Sequence, residues 1–181
     1  NPTEVDLLLR LAQLYEKLDQ SIYTLPLLER AQTQDPDNPR VNFSIGLLQS
    51  GAKRYSEAIE ALKRAVALDQ TNDRYYFNLG AAYERLGDFD NAVIAMRKAI
   101  ELNPQGANAL NYLGYMYADR GINLDESIAL VRRALMIEPE NGYYIDSLGW
   151  AYFRKGMLDE AMQELKHAVA LVPDDPVIAE H

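Results

Sequence analysis

The sequence predicts an all-α fold, an α-solenoid of five stacked helix-turn-helix repeats. Three observations predict it. Ala31, Ala65, Ala99, Ala134 and Ala168 recur at intervals of 34, 34, 35 and 34 residues. A second small-residue series runs through Ala12, Gly46, Gly80, Gly114 and Gly149, and a third series, mostly tyrosine, through Tyr15, Gln49, Tyr83, Tyr117 and Tyr152. Each repeat closes near a proline or its substitute, at Pro36, Gln70, Pro104, Pro139 and Pro173. A fixed period in this range marks an array of two-helix bricks, each unable to bury its apolar faces alone and stable only when stacked.

Each marker has a physical reason. Glycine or alanine at the eighth position of a repeat lets its first helix approach its second. The small residues at positions twenty (Thr24, Ala58, Ala92, Ser127, Ala161) and twenty-seven serve the same approach from the other side. A larger side chain there would strain a close-packed interior. The tyrosine fills volume between neighbouring repeats, and the closing proline stops the second helix. A first helix of about 14 residues would span about 21 Å.

The repeats are read as residues 5–38, 39–72, 73–106, 107–141 and 142–175. The first lacks the glycine and carries Pro26 early in its second helix, where a local kink is expected. The second opens on Asn38-Pro39, an N-cap residue followed by proline at the first helical position. It has Gln49 in place of tyrosine, Gln70 in place of proline, and a loose Ser50-Gly51-Ala52-Lys53 turn. The third to fifth repeats are the most regular. The fourth holds one extra residue near Ile122 and Asn123, in a turn where an insertion costs little. Beyond the fifth, Asp175-Pro176 reads as a further N-cap, so that 176–181 would open a sixth first helix.

These residues resemble the tetratricopeptide repeat, whose motif joins Leu-Gly, a tyrosine, an alanine and a closing Ala and Pro. Asn78-Leu79-Gly80-Ala81-Ala82-Tyr83 and Ser147-Leu148-Gly149-Trp150-Ala151-Tyr152 match it closely, and the resemblance covers roughly residues 5 to 175. It implies a right-handed superhelix, a concave groove lined by the first helices, and a non-enzymatic protein-interaction scaffold or adaptor. The regular repeats are also similar to those of bacterial multi-repeat adaptors, some of them envelope lipoproteins.

Composition sets limits on partners. With 48% hydrophobic and 25% charged residues the chain reads as a soluble helical protein. No apolar run reaches the roughly 18 residues that a spanning helix needs. The net charge of −9 argues against nucleic acid and anionic membrane surfaces, which call for clustered Lys and Arg. The charge reads either as solvated outer faces or as attraction for a basic partner segment. Cysteine is absent, which fits both the cytoplasm and a bacterial periplasm. The opening Asn1-Pro2, without methionine, points to a segment of a longer protein.

At the leading edge, Leu7 and Leu14 occupy the positions that normally face a preceding repeat, as Val41 and Leu48 do one repeat later. They predict an apolar edge. It would be covered by upstream repeats, used for self-association, or left half exposed as isolated surface leucines often are.

The resemblance also implies that positions two, five, nine and twelve of each first helix face the groove, and their three- and four-residue spacing keeps them on one side of a helix. The candidate partner-binding residues are Arg40, Phe43, Arg74, Phe77, Asn78, Asn108, Asn111, Tyr115, Tyr143, Asp146 and Trp150, with Leu47, Glu84 and Phe153 at neighbouring positions of the same face. Aromatics with Arg and Asn have the composition of binding hot spots. Asn108 and Asn111 could hydrogen-bond an extended peptide backbone, and Arg40 and Arg74 could hold an acidic group. The competing reading packs several of the aromatics within or between repeats, Phe43 and Phe77 above all.

Co-chaperone members of the family grip a C-terminal carboxylate with five Lys, Asn and Arg residues spread over three repeats. No three consecutive repeats here supply that set; the second to fourth offer Phe43, Leu47, Asn78, Asn108 and Tyr112. Catalysis has little support. His167 and His181 have no nucleophile or second ligand in a recognisable arrangement. No Cys/His cluster, calcium loop or phosphate-cradling glycine loop is present, so no metal and no cofactor is expected.

Overall fold

A computed structural model describes residues 2–18 and 20–173, and within these every regular element is helical. The sixth helix expected from Pro176 lies outside the described residues. The chain divides into two compact units, residues 1–102 and 103–181.

The first unit contains α1 (Pro2–Lys17), a 3-10 turn at Ser21–Tyr23, α2 (Thr24–Gln34), α3 (Pro39–Gly51), α4 (Tyr55–Leu68), α5 (Asp73–Leu86) and α6 (Phe89–Leu102). Consecutive helices pack as hairpins, α1 with α2, α3 with α4 and α5 with α6, while α2 touches α3 and α4 touches α5. The second unit contains α7 (Ala107–Arg120), α8 (Leu124–Ile137), α9 (Gly142–Lys155) and α10 (Leu158–Leu171). Its hairpins are α7 with α8 and α9 with α10, and α9 also packs on both α7 and α8. Helices α4 to α10 are each 14 residues long.

The repeating small residues lie where the helices touch. All five alanines of the leading series are buried, and so are the five residues of the position-twenty series. A Cβ added at Gly46 would meet the Leu62 side chain at 2.6 Å, and one at Gly114 would meet Val131 at 2.6 Å. The glycines therefore mark notches that receive a residue of the partner helix. Tyr117 and Tyr152 are buried, and Tyr83 packs half-buried against the core of the first unit.

Helix starts follow the sequence signals. The Asn38 side chain accepts from the backbone N–H groups of Arg40 and Val41 at 3.0 and 3.4 Å. Asn72 accepts from Arg74 at 3.1 Å, and Asn141 from Tyr143 at 3.1 Å. These caps satisfy N–H groups that have no partner inside the helix. Pro26 falls in the first turn of α2, where its missing N–H interrupts no helical bond.

Helix ends explain the loose second repeat. α5, α7 and α9 stop at Gly87, Gly121 and Gly156, all in the left-handed conformation (φ +88°, +68° and +83°). In the second repeat that register position holds Lys53, at φ +59°, while Gly51 is spent inside α3. A left-handed residue with a Cβ costs about 1–2 kcal/mol. Lys53 is exposed, so Lys53→Gly should raise unfolding free energy by about 1 kcal/mol. Urea unfolding followed by circular dichroism checks this. The extra residue of the fourth repeat is absorbed at Asn123, which adopts φ +47° just before α8.

Candidate partner-binding faces

In the first unit, side chains of α1, α3 and α5 with the start of α2 enclose a pocket of about 550 Å³. Its floor is apolar and buried: Leu9, Leu28 and Phe43. Its rim is polar and exposed, with Gln13 and Lys17 from α1, Arg40 from α3 and Arg74 from α5.

The rim and floor are joined by stacking. The Phe43 ring lies 4.7 Å from the Tyr75 ring, and the Arg74 guanidinium lies over Phe43 at 5.7 Å. Phe43, expected on the open face, is 8% exposed. Tyr75 of the next first helix covers it, so a position that faces outward on an isolated helix becomes floor in the stack. Burial also raises the Tyr75 hydroxyl above its ordinary pKa, with a smaller push from the Asp69 charge. Arg40 pairs with Asp6 at 2.6 Å, and both partners are about half exposed. Phe77 is half-buried, and the Asn78 amide donates to the Arg74 carbonyl of its own helix at 2.8 Å.

One floor residue escapes the sequence analysis. Thr24 is 1% exposed and lines the pocket, and its Oγ1 has no hydrogen-bond partner among the described residues. It belongs to the position-twenty series read only as a small-residue spacer. The signal was a hydroxyl where three other repeats carry alanine.

The second unit carries a different face. Along α9, Tyr143 is 54% exposed and Phe153 is exposed as well. Trp150 is half-buried and stacks on Phe153 at 5.4 Å with the planes 24° apart, while Arg154 lies 5.5 Å from the indole ring. On α7, Asn108 is exposed, and its Oδ1 accepts from the Tyr144 hydroxyl at 2.6 Å. Burial raises that hydroxyl above its usual pKa, with a smaller push from the Glu138 charge. Asn111 is half-buried with its Oδ1 enclosed and unpartnered, and Tyr115 is half-buried. Asp146, expected on this face, is instead 5% exposed. The reason is the position of α9, which packs on α7, α8 and α10 and leaves few of its sides open.

Leu7 and Leu14 are 64% and 51% exposed, and Leu11, Leu18 and Ile22 extend the apolar edge. Val41, the counterpart of Leu7, is fully covered. Among the described residues no group of three His, Cys, Asp or Glu could hold a metal ion, and no helix is long and apolar enough to cross a membrane.

Comparison with known proteins agrees with this architecture. Residues 52–87 match the family described as TPR repeat, and residues 73–105 and 144–175 match Tetratricopeptide repeat. No curated protein matches the sequence. Among solved structures, a MamA protein is 26% identical, with 94% of this chain and 93% of that one covered and a TM-score of 0.80. The thermophilic TPR protein TTC0263 of Thermus thermophilus is 25% identical, covering 97% and 95%, with a TM-score of 0.75. YrrB, solved as a TPR protein with an unusual peptide-binding site, shares the fold at 20% identity, covering 96% and 89%, with a TM-score of 0.77. Repeats of this kind are protein-interaction modules. The 34-residue period, the stacked hairpins with their glycine notches and these matches give the chain the architecture of a tetratricopeptide repeat solenoid, with residues 52–105 and 144–175 matched to the repeat family itself.

Proposed function

We propose that this interaction scaffold holds a segment of a partner protein, in extended form, against the exposed faces of its first helices. The observation that carries the reading is the aromatic stripe of α9, where Tyr143 and Phe153 stay exposed beside the Trp150–Arg154 stack. Large rigid rings left in water are a standing cost to the free protein. They contribute much binding energy at small entropic cost when a partner covers them. Asn108 and Asn111 on α7 supply carboxamides that can donate to and accept from a peptide backbone.

The test starts from peptides selected on the immobilised 181-residue chain out of a phage-displayed random library. Tyr143→Ala and Asn111→Ala should each weaken the selected peptides about tenfold, or about 1.4 kcal/mol, with the helical dichroism unchanged. Undiminished affinity in both variants removes the α9 stripe from the reading. A second reading, self-association, is favoured by the exposed Leu7, Leu11, Leu14 and Leu18 on α1 and just beyond its end. Light scattering over a concentration series separates the two, since a constant monomer mass eliminates association through that edge.

A further inference from the structure

We propose that the pocket of the first unit is a slot for an acidic–apolar peptide segment. An aliphatic side chain of the segment fills the space over Leu9, Leu28 and Phe43, and a neighbouring carboxylate meets Arg74 and Arg40. This deepens the reading of the first helices as a partner-binding surface and rests on it.

The size and lining support a ligand. About 550 Å³ lies within the roughly 300–1,000 Å³ range of pockets that hold one, and such pockets combine apolar walls with a few placed polar groups. Thr24 is the polar group on the floor. Its hydroxyl is buried and has no hydrogen-bond partner among the described residues, a state that folded proteins rarely tolerate. Ser127 occupies the same repeat position and is equally buried, yet its hydroxyl donates to the Gly114 carbonyl at 2.6 Å. A hydroxyl at this register can therefore be satisfied within its own hairpin, as Ser127 is. Thr24 lines the pocket with its hydroxyl unmatched among the described residues, and a polar atom of the bound segment completes it.

Charge selects the chemistry. In a chain of net charge −9, the pocket lining gathers Lys17, Arg40 and Arg74 against the one carboxylate of Glu16. A local cationic patch on an acidic protein attracts acidic segments and repels basic ones. Arg74 is held over Phe43 and forms no ion pair among the described residues, so its guanidinium can still take a carboxylate. The Arg40–Asp6 pair is solvent-exposed on both sides, and pairs of that kind are weak enough to be redirected. Gln13 and Ser44 stand beside the floor with groups that can bond a passing backbone.

The test is an NMR titration of the isotopically labelled full chain with the capped peptide Ser-Glu-Leu-Glu-Ser. Its companions carry Gln for Glu, Lys for Glu, or Ala for Leu. Shifts should concentrate at Gln13, Thr24, Ser44 and Leu47. Affinity should fall about tenfold for the Gln and Ala peptides and in Arg74→Gln, and vanish for the Lys peptide. Thr24→Val keeps the side-chain shape and removes the unmatched hydroxyl, so it should raise Tm while weakening the Glu peptide. Unchanged affinity in either variant, or equal binding of the Lys peptide, overturns the slot. Should Thr24→Val fail to fold, Arg74→Gln decides alone. Shifts centred on Tyr143 and Phe153 would overturn the slot and leave the broader reading intact, whereas no shift with any peptide counts against both.

Discussion

Gly114→Val is expected to destabilise the second unit by about 3 kcal/mol, near the upper end of what overpacking a core costs. The first carbon alone would lie 2.6 Å from Val131 Cγ2 and 3.0 Å from the Ser127 carbonyl oxygen. Val131 and Ser127 are both fully buried, so the valine has no open side to turn toward, and the carbonyl belongs to the backbone of α8. Relief requires α7 and α8 to separate, which also breaks the Ser127–Gly114 hydrogen bond. Gly80→Ala is the matched control. There the added carbon meets Met96 Cε and Cγ at 3.1 Å and the Ala92 carbonyl at 3.2 Å. Methionine is adaptable, and alanine recovers about 1 kcal/mol of helix propensity over glycine. The control should stay within about 1 kcal/mol of the parent. Urea midpoints read by circular dichroism measure both. A Val variant within about 0.5 kcal/mol of the parent would mean the helices do not approach as closely as the glycine implies.

The difference between those two glycines shows what the sequence can and cannot carry. The period, the positions of the small residues and the asparagine caps were legible because each is a local demand. A close helix crossing needs a missing side chain at one fixed register, and a helix start needs an acceptor just before it. How forgiving each notch is depends on the residue that fills it from the other helix, which the repeat pattern does not specify. The same limit applies to the faces. Arg40, Arg74, Asn108 and Tyr143 are exposed at the outward register of their helices. Phe43 and Asp146 share that register and are buried, because a neighbouring helix supplies the cover and periodicity within one helix carries no record of it. Thr24 went unnoticed for a related reason. Whether a small polar residue is a spacer or a ligand group depends on whether its hydroxyl finds a carbonyl, as Ser127 does and Thr24 does not.

The second large effect is expected at Leu62, and its signature is a change of sign. Leu62 is fully buried and fills the notch over Gly46. Leu62→Ala should cost about 3 kcal/mol, from lost burial and the cavity left behind. Gly46→Ala alone should also destabilise, by about 1 kcal/mol after the gain in helix propensity, because its new carbon would lie 2.6 and 2.8 Å from Leu62 Cγ and Cδ2. That clash is with a side chain, and the nearest backbone atom, the Ala58 carbonyl oxygen, is at 3.4 Å, an ordinary contact. Once Leu62 is truncated the obstacle is gone. In the Leu62→Ala background, Gly46→Ala should therefore stabilise by about 1 kcal/mol, giving a coupling energy of about 2 kcal/mol in the double-mutant cycle. Strict additivity would show that the two side-chain positions do not share one space. Gly114 offers the contrast, since its second obstacle is the Ser127 carbonyl. Truncating Val131 relieves only part of the strain there, and a Gly114→Ala, Val131→Ala pair should recover less than the Gly46 and Leu62 pair. Comparing the two cycles separates a notch shaped by a replaceable side chain from one shaped by the backbone of the opposing helix.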